Sequence, residues 1–312
     1  MTGLVTRRIS AMAPSKYFLI TNPVAGQGRC SALLPAVRRE LDRRHIDYDV
    51  FLTNEPYEAA HVTEMVIEAG FTHVVAMGGD GTVNEVVNGI MASSVRLPLA
   101  VIPAGSGNDF CRMMGIPATL SDAIETMVSG KKRAIDLGHV VGDRYFVNGV
   151  GIGIDAQVAR DVLRMKRLRG TSAYLAAAVQ EIFRFKSFSL TIKNDDWTET
   201  RDLISLGLAN GKYSGGGFQL APRACLDDGL LDVAAIGDFS SKFARLLRLP
   251  QARAGKHLRL PEVTYHQVQE IAVSSSQKLI AHIDGEPYRL PERSFQVVAA
   301  PGAIDVMVPH LA

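Results

Sequence analysis

The chain has 312 residues, of which 47% are apolar, 21% charged and 7% aromatic, so it is long enough for two cores and too apolar for a disordered or fibrous protein. Its 34 Lys and Arg residues nearly balance 32 Asp and Glu residues, giving a net charge of +2, which excludes the basic balance of non-specific nucleic-acid binders. Three scattered cysteines without a CxxC pair exclude a disulfide framework and a cysteine-based zinc site, and they fit a reducing cytoplasm.

The first part of the chain alternates short apolar runs with longer periodic segments. In chain order the pattern predicts strand 17–20, helix 31–44, strand 48–52, helix 59–69, strand 73–77, helix 82–91 and strand 99–102. Apolar runs that lack period-two alternation and are joined through helices are typical of a parallel sheet covered on both faces. We therefore predict a Rossmann-like α/β domain with an open parallel sheet over residues 15–132.

After a predicted helix at 120–129, the strands lie closer together and rely on turn glycines. The predicted strands are 134–141, 145–150, 189–192, 203–208 and 231–236. This spacing favours a second, mainly antiparallel β-sandwich domain over residues 133–312, with the boundary near residue 132. The last apolar runs, 295–299 and 304–308, could close this sheet or return to the first domain, and the sequence leaves both open.

No run of about 18 apolar residues occurs, so the sequence predicts a soluble chain.

Loops rich in glycine and small polar residues follow three predicted strand ends, at 22–28, 78–82 and 103–109. Glycines let the backbone approach a ligand, and the amides before a helix can bind phosphate, so the loops together predict a nucleotide site. Each loop alone could be a plain turn, and Thr82 could be only the N-cap of a helix that begins at Val83. The dinucleotide and P-loop glycine motifs are both absent, which disfavours ordinary dehydrogenases and P-loop enzymes.

Six sequence blocks occur in a specific order along the chain. They are Asn22-Pro23 with Gly26 and Gly28, then residues 78–82, 103–110 and 146–155, then the glycines and the Asp-Asp-Gly sequence within residues 215–231, and finally residues 284–286. This ordered set resembles the diacylglycerol kinase catalytic-domain family of soluble bacterial lipid kinases, which is similar to sphingosine kinases. The Gly-Gly-Asp-Gly block alone is shared with NAD kinases and phosphofructokinases, so the later blocks carry the resemblance.

The resemblance implies transfer of the γ-phosphoryl group of ATP, with Mg²⁺, to the hydroxyl of diacylglycerol or a related lipid. Asp284 matches the proposed general base of the family, and Glu286 is a supporting carboxylate that would face the same side of an extended segment. Asp284-Gly285 is also a signal for a type I′ hairpin turn. A turn and a catalytic role are compatible at this position.

The resemblance also implies the nucleotide and metal ligands. The implied nucleotide contacts are Asn22, Thr53, Gly78, Gly79, Asp80, Gly81, Thr82, Asn84, Ser106 and Asn108. Asp80, also a catalytic candidate, and Asp109 would hold the catalytic Mg²⁺ directly or through water. A second, structural Mg²⁺ would bind the Asp228 carboxylate and the carbonyls of Cys225 and Leu230, since hard cations prefer oxygen. Tight turns or caps are the alternatives at Asp109 and Asp228.

A lipid substrate requires contact with a membrane surface, and two basic amphipathic segments, 160–169 and 242–259, can lie on anionic lipid. A solvated helix face is the commoner explanation for each segment alone. Segment 173–185 fits a core helix better than an acyl-chain groove. We expect a cytoplasmic protein with transient peripheral membrane contact and no nucleic-acid partner, and the sequence leaves open whether it forms a homodimer.

Two rival functions remain. NAD kinases carry an Asn-Glu pair soon after the domain crossing, but this chain has Asn148-Gly149-Val150 there. A nucleotide-binding lipid sensor without turnover would lack a catalytic carboxylate, whereas Asp80, Asp109, Asp228 and Asp284 are all present. Sphingoid-base and ceramide kinases share most of the blocks, so the lipid class stays open.

Overall fold

The structure is a computed structural model that describes residues 15–162, 164–165, 170–290 and 293–310. Its first part alternates strands and helices as the sequence predicts. The elements are β1 (Lys16–Thr21), α1 (Arg29–Arg43), β2 (Asp47–Leu52), α2 (Glu58–Glu68), β3 (His73–Gly78), α3 (Asp80–Ala92), β4 (Leu99–Pro103), α4 (Asp109–Met114) and α5 (Leu120–Ser129).

The first four strands form a parallel sheet. β1 pairs with β2 and β3, and β3 pairs with β4, in each case in parallel. Every residue of β3 and β4 is buried, which is why these strands read as continuous apolar runs rather than as an alternating pattern. Because the strands are parallel, their carboxyl ends, and the glycine loops that follow them, share one edge of the sheet.

The second part of the chain is built mainly from antiparallel strands. Its elements are β5 (Lys131–Val140), β6 (Tyr145–Phe146), β7 (Gly149–Gly153), α6 (Ile154–Val162), α7 (Gly170–Arg184), β8 (Phe188–Lys193), β9 (Thr198–Ala209), β10 (Leu231–Gly237), α8 (Lys242–Arg253), a 3₁₀ helix (His257–Arg259), β11 (Val263–Val268), β12 (Glu270–Ser274), β13 (Ala281–Ile283), β14 (Glu286–Tyr288) and β15 (Ser294–Val308). The apolar faces of these strands enclose a second core, separate from the cores on the two faces of the parallel sheet. The expected α/β and β-sandwich classes are thus confirmed.

The last strand joins the two parts. β15 pairs antiparallel with β12 and β5 over most of its length, and Val306 pairs in parallel with Leu99 of β4. The two C-terminal apolar runs, 295–299 and 304–308, therefore close the antiparallel sheet and also return to the parallel sheet of the first domain. The boundary near residue 132 stays a prediction, because β5 lies along β15 from its first residue and no separate linker marks the crossing.

Two local predictions are wrong. Helix α3 begins at Asp80 with Gly79 as its N-cap, so Thr82 lies in the first turn and is not the cap. The predicted strand 145–150 is interrupted between β6 and β7. The interruption has a physical cause described below, since the amides at this point turn toward a buried carboxylate.

Among the residues that the structure describes, no helix is both long and apolar enough to cross a bilayer.

Candidate active site

The second and third glycine loops touch each other at the carboxyl edge of the parallel sheet. The Gly78 carbonyl accepts hydrogen bonds from the amides of Ala104 and Gly105, at 2.8 and 2.9 Å. A Cβ atom on Gly105 would lie 2.3 Å from the Gly79 Cα, so no larger residue fits there without moving the backbone. The glycines thus allow two loops to form one continuous backbone surface where a nucleotide is expected.

Three predicted nucleotide contacts lie around this surface. Thr53 directly follows β2 and is buried, with its amide bound to the Thr21 carbonyl at 2.9 Å. Asn22 follows β1, and its Oδ1 accepts from the Val24 amide at 3.2 Å. Ser106 is exposed in the third loop. All three follow carboxyl ends of parallel strands, but their contact with a nucleotide stays a prediction.

Two other predicted contacts have their side chains engaged elsewhere. Asn108 closes its own loop, because its Oδ1 accepts from the Gly105 amide and its Nδ2 donates to the Gly105 carbonyl. Asn84 is buried on α3 and donates to the Tyr145 carbonyl and to Asp284 Oδ2. The geometry therefore gives both side chains a positioning role.

Asp80 and Asp109 form a pair of carboxylates beside the glycine loops. Asp80 Oδ1 accepts from the Phe110 amide at 2.9 Å, and Asp109 Oδ2 accepts from the Gly216 amide at 2.8 Å. Burial raises the pKa of both groups, and the nearby Asp80 charge contributes to a pKa of about 6 for Asp109. Arg112 forms an ion pair with Asp109 and partly offsets this effect. Two close carboxylates with raised pKa values are a suitable site for a hard cation.

Asp284 is buried in a two-residue turn between β13 and β14. Positive φ angles at Asp284 and Gly285 (49° and 87°), with Ile283 paired to Glu286, confirm the expected type I′ hairpin. The carboxylate accepts four hydrogen bonds. Its donors are Asn84 Nδ2 and the amides of Val147, Asn148 and Gly149, at 2.8 to 2.9 Å.

The hydrogen bonds of Asp284 have two consequences. They turn the amides at 147–149 away from a sheet ladder, which interrupts the strand predicted at 145–150. They also occupy both lone pairs of each carboxylate oxygen, so no oxygen is left for a substrate proton without breaking a bond. Burial raises the pKa of Asp284 although all four donors act in the opposite direction.

Glu286 is not on an extended segment with Asp284, and that expectation is wrong because the turn separates them. The Glu286 carboxylate makes no hydrogen bond with the described residues. It lies over the start of α3, where a Cβ on Gly81 would come within 3.1 Å of Oε1. Burial and the charges of Glu85 and Asp80 raise its pKa, with His282 acting in the opposite direction. A free carboxylate of raised pKa is suited to accept a proton.

The predicted structural metal loop is exposed. Asp228 Oδ1 accepts from the Leu230 amide at 3.1 Å, and Cys225 lies on the surface. Within the described part of the chain, no three His, Cys, Asp or Glu side chains are grouped as around one metal ion. A site made of one carboxylate and two carbonyls would not appear as such a group, so the ligand set of Asp228, Cys225 and Leu230 stays a prediction.

An apolar cavity of about 110 Å³ lies between α6, α7, α8 and the strands β9 and β10. This volume is several times the roughly 10–15 Å³ that one water needs. Tyr174, Ala178 and Ile182 line it from α7. The expectation that segment 173–185 is core agrees with the burial of Ala177, Ala178 and Ile182, although one face of this helix also borders the cavity. A helix face that packs in the core and one that borders a cavity have the same apolar sequence pattern.

One cation of the basic segment 242–259 is not solvated. Arg245 of α8 is buried and bound to Asp238 and to the carbonyls of Ile182 and Phe185, which fixes α8 against the end of α7. In segment 160–169, residues 163 and 166–169 lie outside the described residues. Membrane contact through that segment therefore stays a prediction.

Three residues near the site were not predicted individually. Asn148 acts to lower the pKa of the Asp80 carboxyl through its side chain, and its amide donates to Asp284. Asp155 and His282 form a buried pair, with Nε2 and Oδ2 3.4 Å apart. Two of them lie in the 146–155 block, so the resemblance marked the region, but only the fold shows which side chains face the site.

Comparison with known proteins gives two matching family models. Residues 16–140 match the model described as diacylglycerol kinase catalytic domain, and residues 148–308 match the one described as YegS C-terminal NAD kinase beta sandwich-like domain. A Chromohalobacter salexigens protein named "Probable lipid kinase YegS-like" is 34% identical over 292 residues, which is 90% of this chain and 91% of that protein. A Staphylococcus epidermidis protein named diacylglycerol kinase is 30% identical over 86% of this chain and 84% of its own length.

The fold is also found in solved structures. A crystal structure described as a diacylglycerol kinase from Bacillus anthracis superposes with a TM-score of 0.71, covering 94% of this chain and 97% of that chain. Its sequence is 21% identical, so this similarity concerns the fold alone.

Proposed function

The chain belongs to the diacylglycerol kinase catalytic-domain family of lipid kinases, and we propose that it transfers the γ-phosphoryl group of ATP to the hydroxyl of diacylglycerol or a related lipid. The observation that carries this proposal is the set of three carboxylates, Asp80, Asp109 and Glu286, beside the glycine-lined edge of the parallel sheet. Phosphoryl transfer needs this combination of phosphate binding, charge neutralisation and proton acceptance.

The residues at the glycine-lined edge fit ATP and Mg²⁺. Gly79 and Gly105 lie too close together for any side chain, which keeps the backbone open to phosphates. Asp80 and Asp109 supply hard oxygen ligands, and Mg²⁺ usually takes only one or two protein carboxylates. Bound there, the cation would neutralise charge on the phosphates.

Glu286 is the residue that we propose as the proton acceptor, with Asp284 holding the turn in place. The lipid oxygen forms a bond to the γ-phosphorus while the bond from that phosphorus to the β-γ bridging oxygen breaks, releasing ADP. The hydroxyl proton passes to the Glu286 carboxylate, which has no hydrogen bond to lose among the described residues. This proposed assignment reverses the roles that the family resemblance implies for Asp284 and Glu286.

The apolar cavity is the proposed site for an acyl chain, and the surface beside it is the proposed membrane contact. Phe243 and Leu247 of α8 are 72% and 74% exposed, and the Phe183 ring of α7 lies 6.2 Å from that of Phe243. Helix α8 contains no acidic residue and several cations. Apolar side chains among cations are typical of a face that lies on anionic lipid.

The proposed function is tested by incubating the protein with labelled ATP, Mg²⁺ and mixed micelles of diacylglycerol, phosphatidylglycerol, monoacylglycerol or sphingosine, with NAD as a soluble control. We expect label on at least one lipid, and more of it when the micelles carry anionic lipid. Label on NAD alone would assign the chain to NAD kinase chemistry. Label on no acceptor would contradict phosphoryl transfer to these lipids and favour a sensor without turnover.

Binding of Mg²⁺ should depend on pH because Asp109 has a raised pKa of about 6. Without Mg²⁺, an acid with a raised pKa stabilises the fold below its unfolded value of 3.8 and loses that contribution as pH rises through about 6. Mg²⁺ needs the ionised form, so its stabilising effect should be present at about pH 7 and nearly lost at about pH 5. The measurement is the shift in Tm on adding Mg²⁺ across this range.

The matched control for this pH dependence is Asp109→Asn, which cannot ionise. We expect the Tm of this variant to respond weakly to Mg²⁺ at every pH. An equal Mg²⁺ shift at both ends of the pH range in the wild type would contradict a role for Asp109 in binding the cation.

A further inference from the structure

Strand β14, which carries Glu286, lies at the end of the sheet. It is three residues long, pairs with β13 and packs against α6. A short edge strand gains few main-chain hydrogen bonds. The hydrogen bonds of Asp284 fix the turn that precedes β14, but they do not reach the other end of the strand at Tyr288. The position of Glu286 therefore also depends on what holds Tyr288.

The turn between β5 and β6 contacts Tyr288 in two ways. The Tyr288 hydroxyl donates a hydrogen bond to Asp143. The guanidinium carbon of Arg144 lies 5.3 Å from the centre of the Tyr288 ring, and Arg144 Nε is 3.3 Å from Asp143 Oδ1. A guanidinium within about 6 Å of a ring centre is attracted to the face of the ring. One ion pair thus contacts both the ring and the hydroxyl of Tyr288.

Arg144 also contacts the first domain. Its guanidinium carbon lies 5.2 Å from the centre of the Tyr57 ring, in the loop between β2 and α2 that begins at Thr53. Tyr57 is 61% exposed and has a φ of 66°, which is uncommon for a residue other than glycine. The Arg144 bridge, which consists of Arg144 and the rings of Tyr57 and Tyr288, therefore joins a loop of the first domain to the hairpin that carries Glu286.

The main chain beside Arg144 is fixed to α3 by side-chain amides. Asn88 Oδ1 accepts from the Tyr145 amide at 2.9 Å, and Asn88 Nδ2 donates to the Tyr145 carbonyl at 3.0 Å. Asn84 Nδ2 donates to the same carbonyl. Because Asn88 pairs with both main-chain groups of Tyr145, the base of the Arg144 side chain has a defined position relative to the helix that begins at Asp80.

The charge of Arg144 also acts on the carboxylates of this region. Glu85 of α3 accepts from the Ala59 amide at the start of α2, at 3.3 Å. Burial raises the pKa of Glu85, and the Arg144 charge acts in the opposite direction. Burial and then the charge of Glu85 raise the pKa of Glu286. Arg144 therefore supplies charge compensation next to the hairpin, in addition to its ring contacts.

We propose that Arg144 is a positioning residue that holds the β13–β14 hairpin, and with it Glu286, in place against Tyr57 of the first domain. This inference rests on the proposed lipid kinase function, in which Glu286 accepts the hydroxyl proton. Loss of two cation–π contacts at a partly exposed site corresponds to about 5- to 30-fold in an equilibrium. Because the bridge acts on the position of the proton acceptor, its loss should lower kcat rather than raise the KM for Mg-ATP.

The first test compares kcat and KM for Mg-ATP in wild type, Arg144→Ala and Arg144→Lys. We expect kcat of Arg144→Ala to fall about tenfold, with the KM for Mg-ATP within about twofold of wild type. Arg144→Lys keeps the charge but not the planar group, so its kcat should be intermediate. An unchanged kcat in Arg144→Ala, or a rise in KM for Mg-ATP with no change in kcat, would overturn the role of Arg144.

Two variants of Tyr57 test the other end of the bridge. Tyr57→Ala removes one ring contact and should lower kcat about 2- to 5-fold, whereas Tyr57→Phe keeps the ring and should retain wild-type kcat. Both substitutions place a Cβ at the same positive φ, so their difference isolates the ring. Adding Tyr57→Ala to Arg144→Ala should cause little further loss, because both changes remove the same contact. Losses that multiply would contradict the bridge.

The matched control is Lys16→Ala, which removes another cation from an aromatic ring. Lys16 Nζ lies 4.3 Å from the centre of the Phe71 ring, at the amino end of β1 and thus at the opposite end of the strand from the glycine loops. This variant should leave kcat unchanged. A loss equal to that of Arg144→Ala would show that kcat responds to any lost cation–π contact and would overturn a specific role for Arg144.

Amide hydrogen exchange separates this inference from the proposed function. Exchange of residues 281–288 should become about 5- to 30-fold faster in Arg144→Ala and stay unchanged in Tyr57→Phe and Lys16→Ala. Unchanged exchange in Arg144→Ala would overturn the bridge even where lipid is phosphorylated normally. Faster exchange in Arg144→Ala, with no lipid phosphorylated by the wild type, would overturn the kinase function and leave the bridge standing.

Discussion

Glu286→Gln should lower kcat by about 10³-fold, since removal of a general base costs about 10² to 10⁴ in rate, while the Tm stays close to that of the wild type. The side chain makes no hydrogen bond with the described residues. Its loss therefore removes no contact on which the fold depends. Gln also removes the repulsion from Glu85 and Asp80 that helps to raise the Glu286 pKa. The measurements are kcat with lipid and Mg-ATP, and Tm.

Asp284→Asn is the companion variant and should behave differently. An Asn amide directs N–H groups at two of the four donors that now bind the carboxylate. Leaving buried donors unsatisfied costs about 1–3 kcal/mol each, so the free energy of unfolding should fall by about 3 kcal/mol. Turnover should fall as well, because the turn that carries Glu286 loosens.

The acid side of the pH–rate profile distinguishes the two roles. The raised pKa of Glu286 makes wild-type kcat fall as pH drops through that value, and Glu286→Gln should flatten this limb. Asp284→Asn should still show the fall of kcat at acid pH, with a lower kcat at every pH. If Asp284→Asn instead flattened the limb at an unchanged Tm, and Glu286→Gln retained turnover, Asp284 would be the proton acceptor.

The sequence predicts those features that depend on residues close together in the chain. The apolar runs of β3 and β4 are continuous because both faces are buried, and Asp284-Gly285 indicates its turn through the two residues alone. The three glycine loops were recognisable because each directly follows a predicted strand. Parallel strands then bring the loops to one edge without further information.

The errors concern contacts between distant parts of the chain. The amides that surround Asp284 belong to residues about 135–137 positions away, so neither the interruption of strand 145–150 nor the saturation of the carboxylate has a local signal. Helix α7 illustrates a second limit. Its apolar face predicts burial, but whether Ala178 meets protein atoms or a cavity depends on the size of side chains on other elements.

Filling the apolar cavity should have the second large effect on lipid phosphorylation. Ala178→Trp places a large ring into the space that we assign to an acyl chain, since Ala178 lines the cavity from α7. Each buried CH₂ is worth about 0.8 kcal/mol, so displacing about four of them should lower kcat/KM for the lipid by about 100-fold. Mg-ATP affinity should not change, because the glycine loops lie outside the cavity lining. The Tm should be unchanged or raised, since the ring fills existing space.

Leu175→Trp is the control, because Leu175 is on the same helix but exposed and does not line the cavity. It should retain near wild-type kcat/KM. Lipids with shorter acyl chains provide a further check, since they need less of the cavity and should lose less activity in Ala178→Trp than long-chain lipids do. An equal loss for all chain lengths, or wild-type activity with the cavity filled, would place the acyl chain elsewhere and leave the phosphoryl-transfer site unaffected.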